Sequence, residues 1–290
     1  MDNGMSLAIF GEALFDRFED GQQMAGGAPF NVAWHLRALD NDPLLISRVG
    51  EDPSGHKLSH MMRQWGMQEV ALQRDAVHPT GEVDISIVED EPQYNIREGA
   101  AWDFIDAAAL PPLAQGSLLY HGTLALRNHE SRQALRRLTH DQDVSVFLDV
   151  NLRAPWWDRA TVFACLEGAR WGKLNQHEMH ALGFRAADMR ENMEKLQTQF
   201  ALEQLIVTLG GEGAMLRCDD GRCFQQPAPR ADVRVDSVGA GDAFSAMYIH
   251  GLRAGCAPED ALLKAQQFAS AILAQRGAVV RSTVFYQPFR

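Results

Sequence analysis

The chain has 290 residues, of which 46% are hydrophobic, and a formal net charge of -11, so its length allows one or two domains with a sizeable core. The acidic balance argues against nucleic acid or an anionic membrane surface as the main partner. No run approaches the roughly 20 apolar residues of a membrane span, and residues 1–10 lack the pattern of a secretion signal, so we expect a cytoplasmic protein.

Short apolar runs alternate with amphipathic segments along most of the chain. The apolar runs predict strands at residues 7–10, 44–47, 117–122, 144–150 and 204–210. The amphipathic segments predict helices at residues 30–39, 56–65, 130–140, 189–200, 243–255 and 259–275. This alternation is typical of βαβ units and predicts an α/β fold with a parallel sheet. Ligands of such sheets bind beyond the carboxyl ends of the strands.

Two polar motifs follow the first predicted strand. GEALFD ends in Asp16, whose carboxylate accepts two hydroxyl hydrogen bonds, as suits a sugar diol, although acids in loops are usually just solvated. GGAPFN opens the first predicted helix, where Gly27 lets a small polar ligand reach the backbone and Asn31 offers both a donor and an acceptor. The alternative is plain loop chemistry with Pro29 in the first helical turn.

Residues 81–98 break the alternation of strands and helices. GEVDISIV alternates apolar and polar positions, the chain turns at EDEP, and Tyr94 and Ile96 resume the apolar pattern. This pattern predicts a β-hairpin with two different faces. The hairpin either extends the main sheet or stands apart as a lid or dimerisation flap, and the pattern alone leaves both open.

Polar residues also follow the later strands. LDVNLR supplies Asp149, Asn151 and Arg153 at alternating positions, which share one face if the strand continues. Arg153 suits either a phosphate or a salt bridge at the strand end. In KLNQHE, Asn175 and Glu178 lie one turn apart and suit the oxygen preference of Mg²⁺, mostly through water.

Two other ligand motifs are disfavoured. His177 and His180 have no further Cys or His at the spacing that a zinc site needs. VTLGGEGAM continues into AMLRC, which predicts strand, turn and strand instead of the strand, turn and helix of a dinucleotide fingerprint. A Walker A sequence is also absent, so a nucleotide must be held in another way.

The stretch DSVGAGDAF places two acids around small residues at the entrance of a predicted helix. Gly239, Ala240 and Gly241 leave the backbone almost bare there. The first amides of a helix have no internal partners and lie at the positive end of its dipole, so a bare entrance admits a phosphate. Asp236 suits a capping role, whereas Asp242 either balances the helix dipole or faces a reactant.

The order of these motifs resembles that of the ribokinase-like (PfkB) sugar kinases over nearly the whole chain, most closely the bacterial fructokinases. DSVGAGD matches the family signature D-[TS]-x-G-A-G-D at every fixed position, and GGAPFN matches the glycine pair and asparagine of the other signature. The other motifs fall in the expected order. The resemblance implies one kinase domain over residues 1–290, a three-layer sandwich around a mostly parallel sheet, and a β lid with strands near 12–24 and 81–98.

The resemblance also implies roles for individual residues in catalysis. Asp242 matches the catalytic base that takes the proton of the sugar hydroxyl. Gly239, Ala240 and Gly241 match the anion hole over the transferring phosphate, and Arg153 matches a residue near substrate and phosphate. The sugar-binding positions are Asp16, Gly27, Asn31 and Asp242.

Further matches concern the nucleotide and metal ions. The nucleotide-binding positions implied by the resemblance are Asn175, Glu178, Thr208, Gly210, Gly213, Gly239, Gly241 and Ser270. Glu178 matches the Mg²⁺ motif, and many relatives bind a monovalent cation such as K⁺ near the positions of Asp236 and Val238. The chain departs from the family at Ser237, where Thr is usual, at Ser270, where Asn is common, and in a short tail after Gly277.

The implied activity is ATP-dependent phosphorylation of a sugar primary hydroxyl, with Mg²⁺ and optionally K⁺ as cofactors. We expect D-fructose as the substrate and fructose 6-phosphate as the product, because HGTLAL and LDVNLR followed by Trp156 and Trp157 are similar to fructokinase segments. Relatives that act on 2-keto-3-deoxygluconate, ribose or a nucleoside share the same signatures. A sugar- or nucleotide-binding regulator without turnover is the alternative of a different class. The resemblance also implies a homodimer formed through the lid.

Overall fold

The computed structural model describes residues 6–88, 91–229 and 238–290 of the chain. Within these ranges the strands are β1 (Leu7–Phe10), β2 (Leu14–Phe18), β3 (Gln23–Gly26), β4 (Pro43–Gly50), β5 (Leu72–Asp75), β6 (Gly81–Val88), β7 (Glu91–Ile96), β8 (Ser117–His121), β9 (Val144–Asp149), β10 (Trp171–Asn175), β11 (Gln204–Thr208), β12 (Ala214–Cys218) and β13 (Cys223–Gln226). The helices are α1 (Ala28–Ala38), α2 (Pro53–Gln64), α3 (His129–Asp141), α4 (Arg159–Glu167), α5 (Gln176–Ala181), α6 (Met189–Phe200), α7 (Ala240–Arg253), α8 (Pro258–Ile272) and α9 (Thr283–Tyr286).

In the described part of the chain, nine strands form the main sheet in the order β13-β12-β11-β10-β9-β8-β1-β4-β5. The strands from β11 to β5 in this order pair in parallel, and β12 and β13 add an antiparallel edge. In the centre of the sheet, Leu7 of β1 is in register with Pro43 of β4 and Leu118 of β8. The predicted parallel sheet is confirmed, and all five predicted strands belong to it.

The main sheet is the middle of three layers. Successive side chains of a strand point to opposite faces, and β1 is buried on both: Leu7 and Ile9 pack into one core, Ala8 and Phe10 into the other. The first core is completed mainly by α1, α2, α7 and α8, and the second by α3, α4, α5 and α6. Near-continuous apolar runs such as LAIF form strands here because parallel strands are covered on both faces.

Side chains at the start of several helices fix where those helices begin. Asp52 accepts a hydrogen bond from the amide of Gly55 at the start of α2, and Asp158 accepts one from the amide of Thr161 at the start of α4. The helix α7 begins differently. Its N-cap is Gly239, which is in the left-handed conformation with φ 80° and supplies no side-chain cap.

A second sheet of four strands, in the order β3-β2-β6-β7, stands apart from the main sheet. The strands β6 and β7 form the antiparallel hairpin predicted over residues 81–98, and β6 pairs in parallel with β2. The alternative in which this hairpin extends the main sheet is therefore wrong. The strands β2 and β3 come from the polar segment after β1, where the hydrophobic pattern alone gives no strand signal.

No helix in the described ranges combines the length and the apolar character that a bilayer crossing requires.

Candidate active site

A cavity of about 460 Å³ opens at the carboxyl edge of the parallel strands, between the main sheet and the four-stranded sheet. The residues that line it come from strand ends, from the starts of α1, α5 and α7, and from the four-stranded sheet. They include the predicted site residues Asp16, Gly27, Asn31, Arg153, Asn175, Glu178, Thr208, Val238, Gly239, Gly241 and Asp242. The cavity thus collects motifs that lie more than 200 residues apart in the chain, as expected for an open parallel sheet.

Asp242 lies in the first turn of α7 and contacts the first turn of α1. Asn31 Nδ2 donates a hydrogen bond of 2.8 Å to Asp242 Oδ2, and this bond joins the two family signatures directly. Desolvation raises the pKa of Asp242 to about 6, with a further increase from the charge of Asp149, while the Asn31 bond and nearby Lys173 and Arg153 oppose the shift. The carboxylate is thus half-buried, ionised near neutral pH and basic enough to accept a proton.

The glycine pair at the start of α1 allows two acids to approach the helix. A Cβ at Gly26 would lie 2.7 Å from Asp16 Oδ2, and a Cβ at Gly27 would lie 2.6 Å from the carbonyl oxygen of Glu12. Gly27 also has φ 97°, a conformation that other residues rarely adopt. The glycines therefore set how closely Asp16 and Glu12 pack against the helix start.

Glu12 is a buried acid that the sequence patterns do not single out. Its side chain lines the cavity and is 3% exposed, and Oε2 has no hydrogen-bond partner among the described residues. Desolvation raises the pKa of Glu12 to about 7, and the charge of Asp242 adds to the increase, whereas backbone amides and Arg153 oppose it. This increase in pKa depends on the packing of α1 over the carboxyl group of Glu12, which the local sequence does not indicate.

Lys173 and Asp149 form a buried ion pair at the floor of the cavity. Lys173 Nζ lies 2.7 Å from Asp149 Oδ2, and the two side chains are 6% and 4% exposed. Ser245 Oγ on α7 donates to the same oxygen at 2.8 Å. The sequence pattern indicates Asp149 but not Lys173, because a lysine inside the short run WGKL carries no sign of which way its side chain points.

The segment after β9 does not continue as a strand. Asn151 has φ 42°, so the chain turns there, and the premise that Asp149, Asn151 and Arg153 share one strand face is wrong. All three nevertheless line the cavity. Arg153 is exposed, and its carbonyl accepts a hydrogen bond of 2.7 Å from the amide of Trp156, which fixes the loop that carries the guanidinium.

Asn175 and Glu178 form a reciprocal capping box at the start of α5. Glu178 Oε2 accepts from the Asn175 amide at 2.8 Å, and Oε1 accepts from the Leu152 amide at 2.8 Å. Desolvation raises the pKa of Glu178, against the effect of these amides. No group of three or more His, Cys, Asp or Glu side chains placed to hold a metal ion occurs among the described residues.

The remaining predicted nucleotide positions lie outside the main cavity. Gly210 and Gly213 bound a short turn between β11 and β12, where a Cβ at Gly213 would lie 2.0 Å from the carbonyl oxygen of Gln226. Ser270 lines a second cavity of about 690 Å³, together with Lys264 and Phe289 among others. Asp236 and Ser237 lie outside the described residues.

Comparison with known proteins identifies the family of the chain. The sequence profile of the pfkB family carbohydrate kinases matches residues 6–283. The chain belongs to this family. A fructokinase from Klebsiella pneumoniae is 31% identical over 270 residues, which cover 87% of this chain and 86% of the relative. Membership of the pfkB family makes the chain an ATP-dependent carbohydrate kinase.

Solved structures of other kinases share the fold. The fructokinase from Vibrio cholerae O395, in a form with bound fructose, ADP and calcium ion, superposes with a TM-score of 0.83 at 24% identity and covers 99% of both chains. The aminoimidazole riboside kinase from Salmonella enterica, complexed with aminoimidazole riboside and an ATP analogue, gives a TM-score of 0.82 at 24% identity and covers 94% of this chain and 95% of its own. These likenesses confirm the ribokinase-like fold.

Proposed function

We propose that this kinase transfers the γ-phosphoryl group of ATP to the primary hydroxyl of D-fructose and produces fructose 6-phosphate. The observation that carries the proposal is the contact of Asp242 with Asn31 in a cavity that also holds Asp16 and the bare entrance of α7. One polar cavity thereby combines a base, acceptors for sugar hydroxyls and a place for phosphate. Fructose is preferred because the curated bacterial relatives are fructokinases.

In the proposed reaction Asp242 orients the primary hydroxyl and accepts its proton. Phosphoryl transfer depends mainly on alignment and charge stabilisation, so the amides of Gly239, Ala240 and Gly241 stabilise the charge on the equatorial oxygens without reorganising. Arg153 adds positive charge at the rim of the cavity. Asn31 holds the carboxylate of Asp242 in place through the bond of 2.8 Å.

The nucleotide is proposed to run from the entrance of α7 past Thr208 and the turn that contains Gly210 and Gly213. Its base would reach the second cavity, where Ser270 takes the place of the usual asparagine. Asn175 and Glu178 would hold Mg²⁺ through water, and the ion would supply charge neutralisation for the phosphates. We also propose a K⁺ site near Asp236 and Val238.

We also propose that the four-stranded sheet acts as the lid of a single kinase domain. Apolar Val83 and Ile96 line the cavity from this sheet, whereas Arg97 pairs with Asp84 at 2.8 Å on its other side. A homodimer through the lid and a cytoplasmic location complete the proposal. Sedimentation velocity of the purified chain measures the first, and fractionation of the source cells measures the second.

A sugar panel tests the proposed substrate. ATP consumption and sugar phosphate formation are measured with fructose, 2-keto-3-deoxygluconate, ribose and nucleosides at saturating ATP and Mg²⁺. The highest kcat/KM is expected with fructose. A higher value with another acceptor would replace the substrate and keep the reaction, whereas absence of transfer to every acceptor would leave only the binding regulator.

A further inference from the structure

Lys173 is a cation in an unusual place, at the floor of the main cavity. Its side chain is 6% exposed, and burying an ammonium group costs several kcal/mol unless other interactions compensate. The pair with Asp149, directly opposite on β9 in the parallel register, provides part of that compensation. A pair of apolar side chains would fill the same space at lower cost, so the charge calls for a reason beyond packing.

The ammonium of Lys173 lies beside the entrance of α7. Nζ is 3.7 Å from the point that a Cβ on Gly241 would occupy. Gly241 belongs to the first helical turn, where the free amides and the helix dipole already favour an anion. The lysine therefore places a full positive charge next to the partial charge of the helix end, and both face the same cavity.

The hydrogen-bonding capacity of Lys173 is not used up by Asp149. An ammonium group has three N–H donors, and within the described residues Nζ donates to one acceptor, Asp149 Oδ2. Ser245 Oγ donates to the same oxygen and takes up part of its accepting capacity. The arrangement holds Nζ at a fixed point and leaves donors for an anion in the cavity.

We propose that Lys173 is a further catalytic residue, whose ammonium donates to an oxygen of the phosphoryl group in transit. The inference rests on the proposed kinase reaction and does not depend on which sugar is the acceptor. Asp149 and Ser245 are positioning residues that hold Nζ beside Gly241.

The bond changes of the step leave Lys173 itself unchanged. The bond from the sugar oxygen to the γ-phosphorus forms as the bond from that phosphorus to the β,γ-bridging oxygen breaks, and ADP leaves with the electron pair. The hydroxyl proton passes to Asp242. Lys173 stays protonated throughout and stabilises the charge that spreads over the equatorial oxygens.

The test compares Lys173→Met with the double variant Lys173→Met/Asp149→Asn, which removes both charges of the pair. Loss of one donor to a developing oxyanion costs about 10²–10³ in kcat, and Lys173→Met is expected to lose this much. The double variant is expected to regain the midpoint of thermal unfolding of the wild type, because no uncompensated carboxylate remains, but not its kcat. Arg217→Met is the matched control, since Arg217 lies on β12 of the same sheet, away from the cavity, and contacts Glu194 and Gln197 of α6.

A binding measurement separates a role in the transition state from a structural one. Affinity for ADP with aluminium fluoride and sugar, a mimic of the phosphoryl group in transit, is expected to fall with kcat in Lys173→Met, while affinity for MgADP changes less than about threefold. Wild-type kcat in the double variant, or equal losses for ADP and the mimic, would overturn the inference. If the wild type transfers phosphate to no acceptor, the proposed function itself fails before any variant is compared.

Discussion

The local sequence leaves two roles open for Asp242, which either balances the dipole of its helix or faces a reactant. A capping acid is seen at Asp158, whose Oδ1 accepts from the Thr161 amide at 2.8 Å. Asp242 instead lies inside α7, after the N-cap Gly239, and its Oδ2 accepts from the side chain of Asn31. Its carboxylate therefore faces the cavity, as a base for the acceptor hydroxyl must.

Replacement of Asp242 by Asn is expected to reduce kcat by at least about 10²–10⁴, the usual contribution of a positioned general base. The same change is expected to stabilise the fold at pH 8. The folded-state pKa of about 6 exceeds the ordinary 3.8, so ionisation of Asp242 costs folding free energy above pH 4, and the cost is complete above pH 6. Each pKa unit is worth about 1.4 kcal/mol, which partial exposure reduces to an expected gain of about 1–2 kcal/mol.

Steady-state kinetics and urea unfolding at pH 8 and pH 4 measure both effects of Asp242→Asn. The gain in the free energy of unfolding is expected at pH 8 and not at pH 4. Asp158→Ala is the control: loss of this cap is expected to cost about 1 kcal/mol with kcat unchanged. Turnover close to that of the wild type in Asp242→Asn would return the residue to a role in balancing the helix dipole.

Motif order predicts those site residues whose chemistry depends on residue type and spacing. Asp242 and Asn31 are of this kind, and the structure brings them into contact. Lys173 and Glu12 are different, because their significance depends on burial. One is hidden in a strand, the other lies in the turn after β1 beneath α1, and neither burial nor pairing follows from local sequence.

The entrance of α7 depends on the segment that packs against it. A Cβ at Gly239 would lie 2.5 Å from the Cα of Ala278. Two contacts of His35 hold the segment around Ala278 in place. Nε2 lies 2.9 Å from the carbonyl oxygen of Ala278, and Nδ1 lies 2.9 Å from the hydroxyl oxygen of Tyr286. Burial lowers the pKa of His35 to about 4, so the ring is neutral at physiological pH.

Gly239→Ala is therefore expected to be much more harmful than Gly255→Ala at the other end of α7. Both glycines have positive φ, 80° and 69°, and share the cost of about 1–2 kcal/mol for a residue with a Cβ. A Cβ at Gly255 has no neighbour within 4 Å, whereas one at Gly239 displaces Ala278. Gly239→Ala is expected to lower kcat by at least about tenfold, whereas Gly255→Ala is not. Gly239→Ala is also expected to lose more unfolding free energy than Gly255→Ala.

Thermal unfolding and kcat of the two glycine variants, measured side by side, check this expectation. Equal losses of stability with intact turnover in both would show that the contact with Ala278 relaxes at little cost. In that case the close approach of Gly239 to Ala278 does not set the geometry of the entrance of α7.

The elements themselves differ in how well the sequence predicts them. The parallel strands and the long amphipathic helices follow from hydrophobic period. The strands β2 and β3 do not follow from it, since their sequence LFDRFEDGQQMAG is largely polar after Phe15. Only the family resemblance predicts lid strands near residues 12–24. No amphipathic pattern predicts α4, because apolar side chains lie around most of the helix, at Val162, Phe163, Cys165 and Leu166.

The fold as a whole gathers acids into one cavity, and their burial lowers its stability. Glu12 and Asp242 both have raised pKa values, about 7 and about 6, and burial is the largest cause for each. Active sites commonly hold such destabilising groups, because function requires an arrangement that stability alone would not select.

Glu12→Gln is expected to remove part of this cost. The folded-state pKa of Glu12, about 7, lies above the ordinary 4.5. The folded state therefore binds the proton more tightly, and stability falls as pH rises from about 4.5 to 7. Gln keeps the shape without the charge, so the free energy of unfolding is expected to exceed that of the wild type by about 2–3 kcal/mol at pH 8 and to match it at pH 4.

Asp75→Asn is expected to change the free energy of unfolding in the opposite direction. The two acids are equally buried, since Asp75 and Glu12 are both 3% exposed. Burial would raise the pKa of Asp75, but the amides of His78 and Val77 and the charge of Arg48 outweigh it and hold the pKa below its usual value. That carboxylate contributes stability above pH 3.8, which is lost at lower pH as it takes up a proton. Urea unfolding at pH 8 should therefore rank Glu12→Gln above the wild type and Asp75→Asn below it. A Glu12→Gln variant less stable than the wild type at pH 8 would contradict this expectation. It would show that positive charge in the cavity stabilises the Glu12 carboxylate, so that ionised Glu12 does not destabilise the fold.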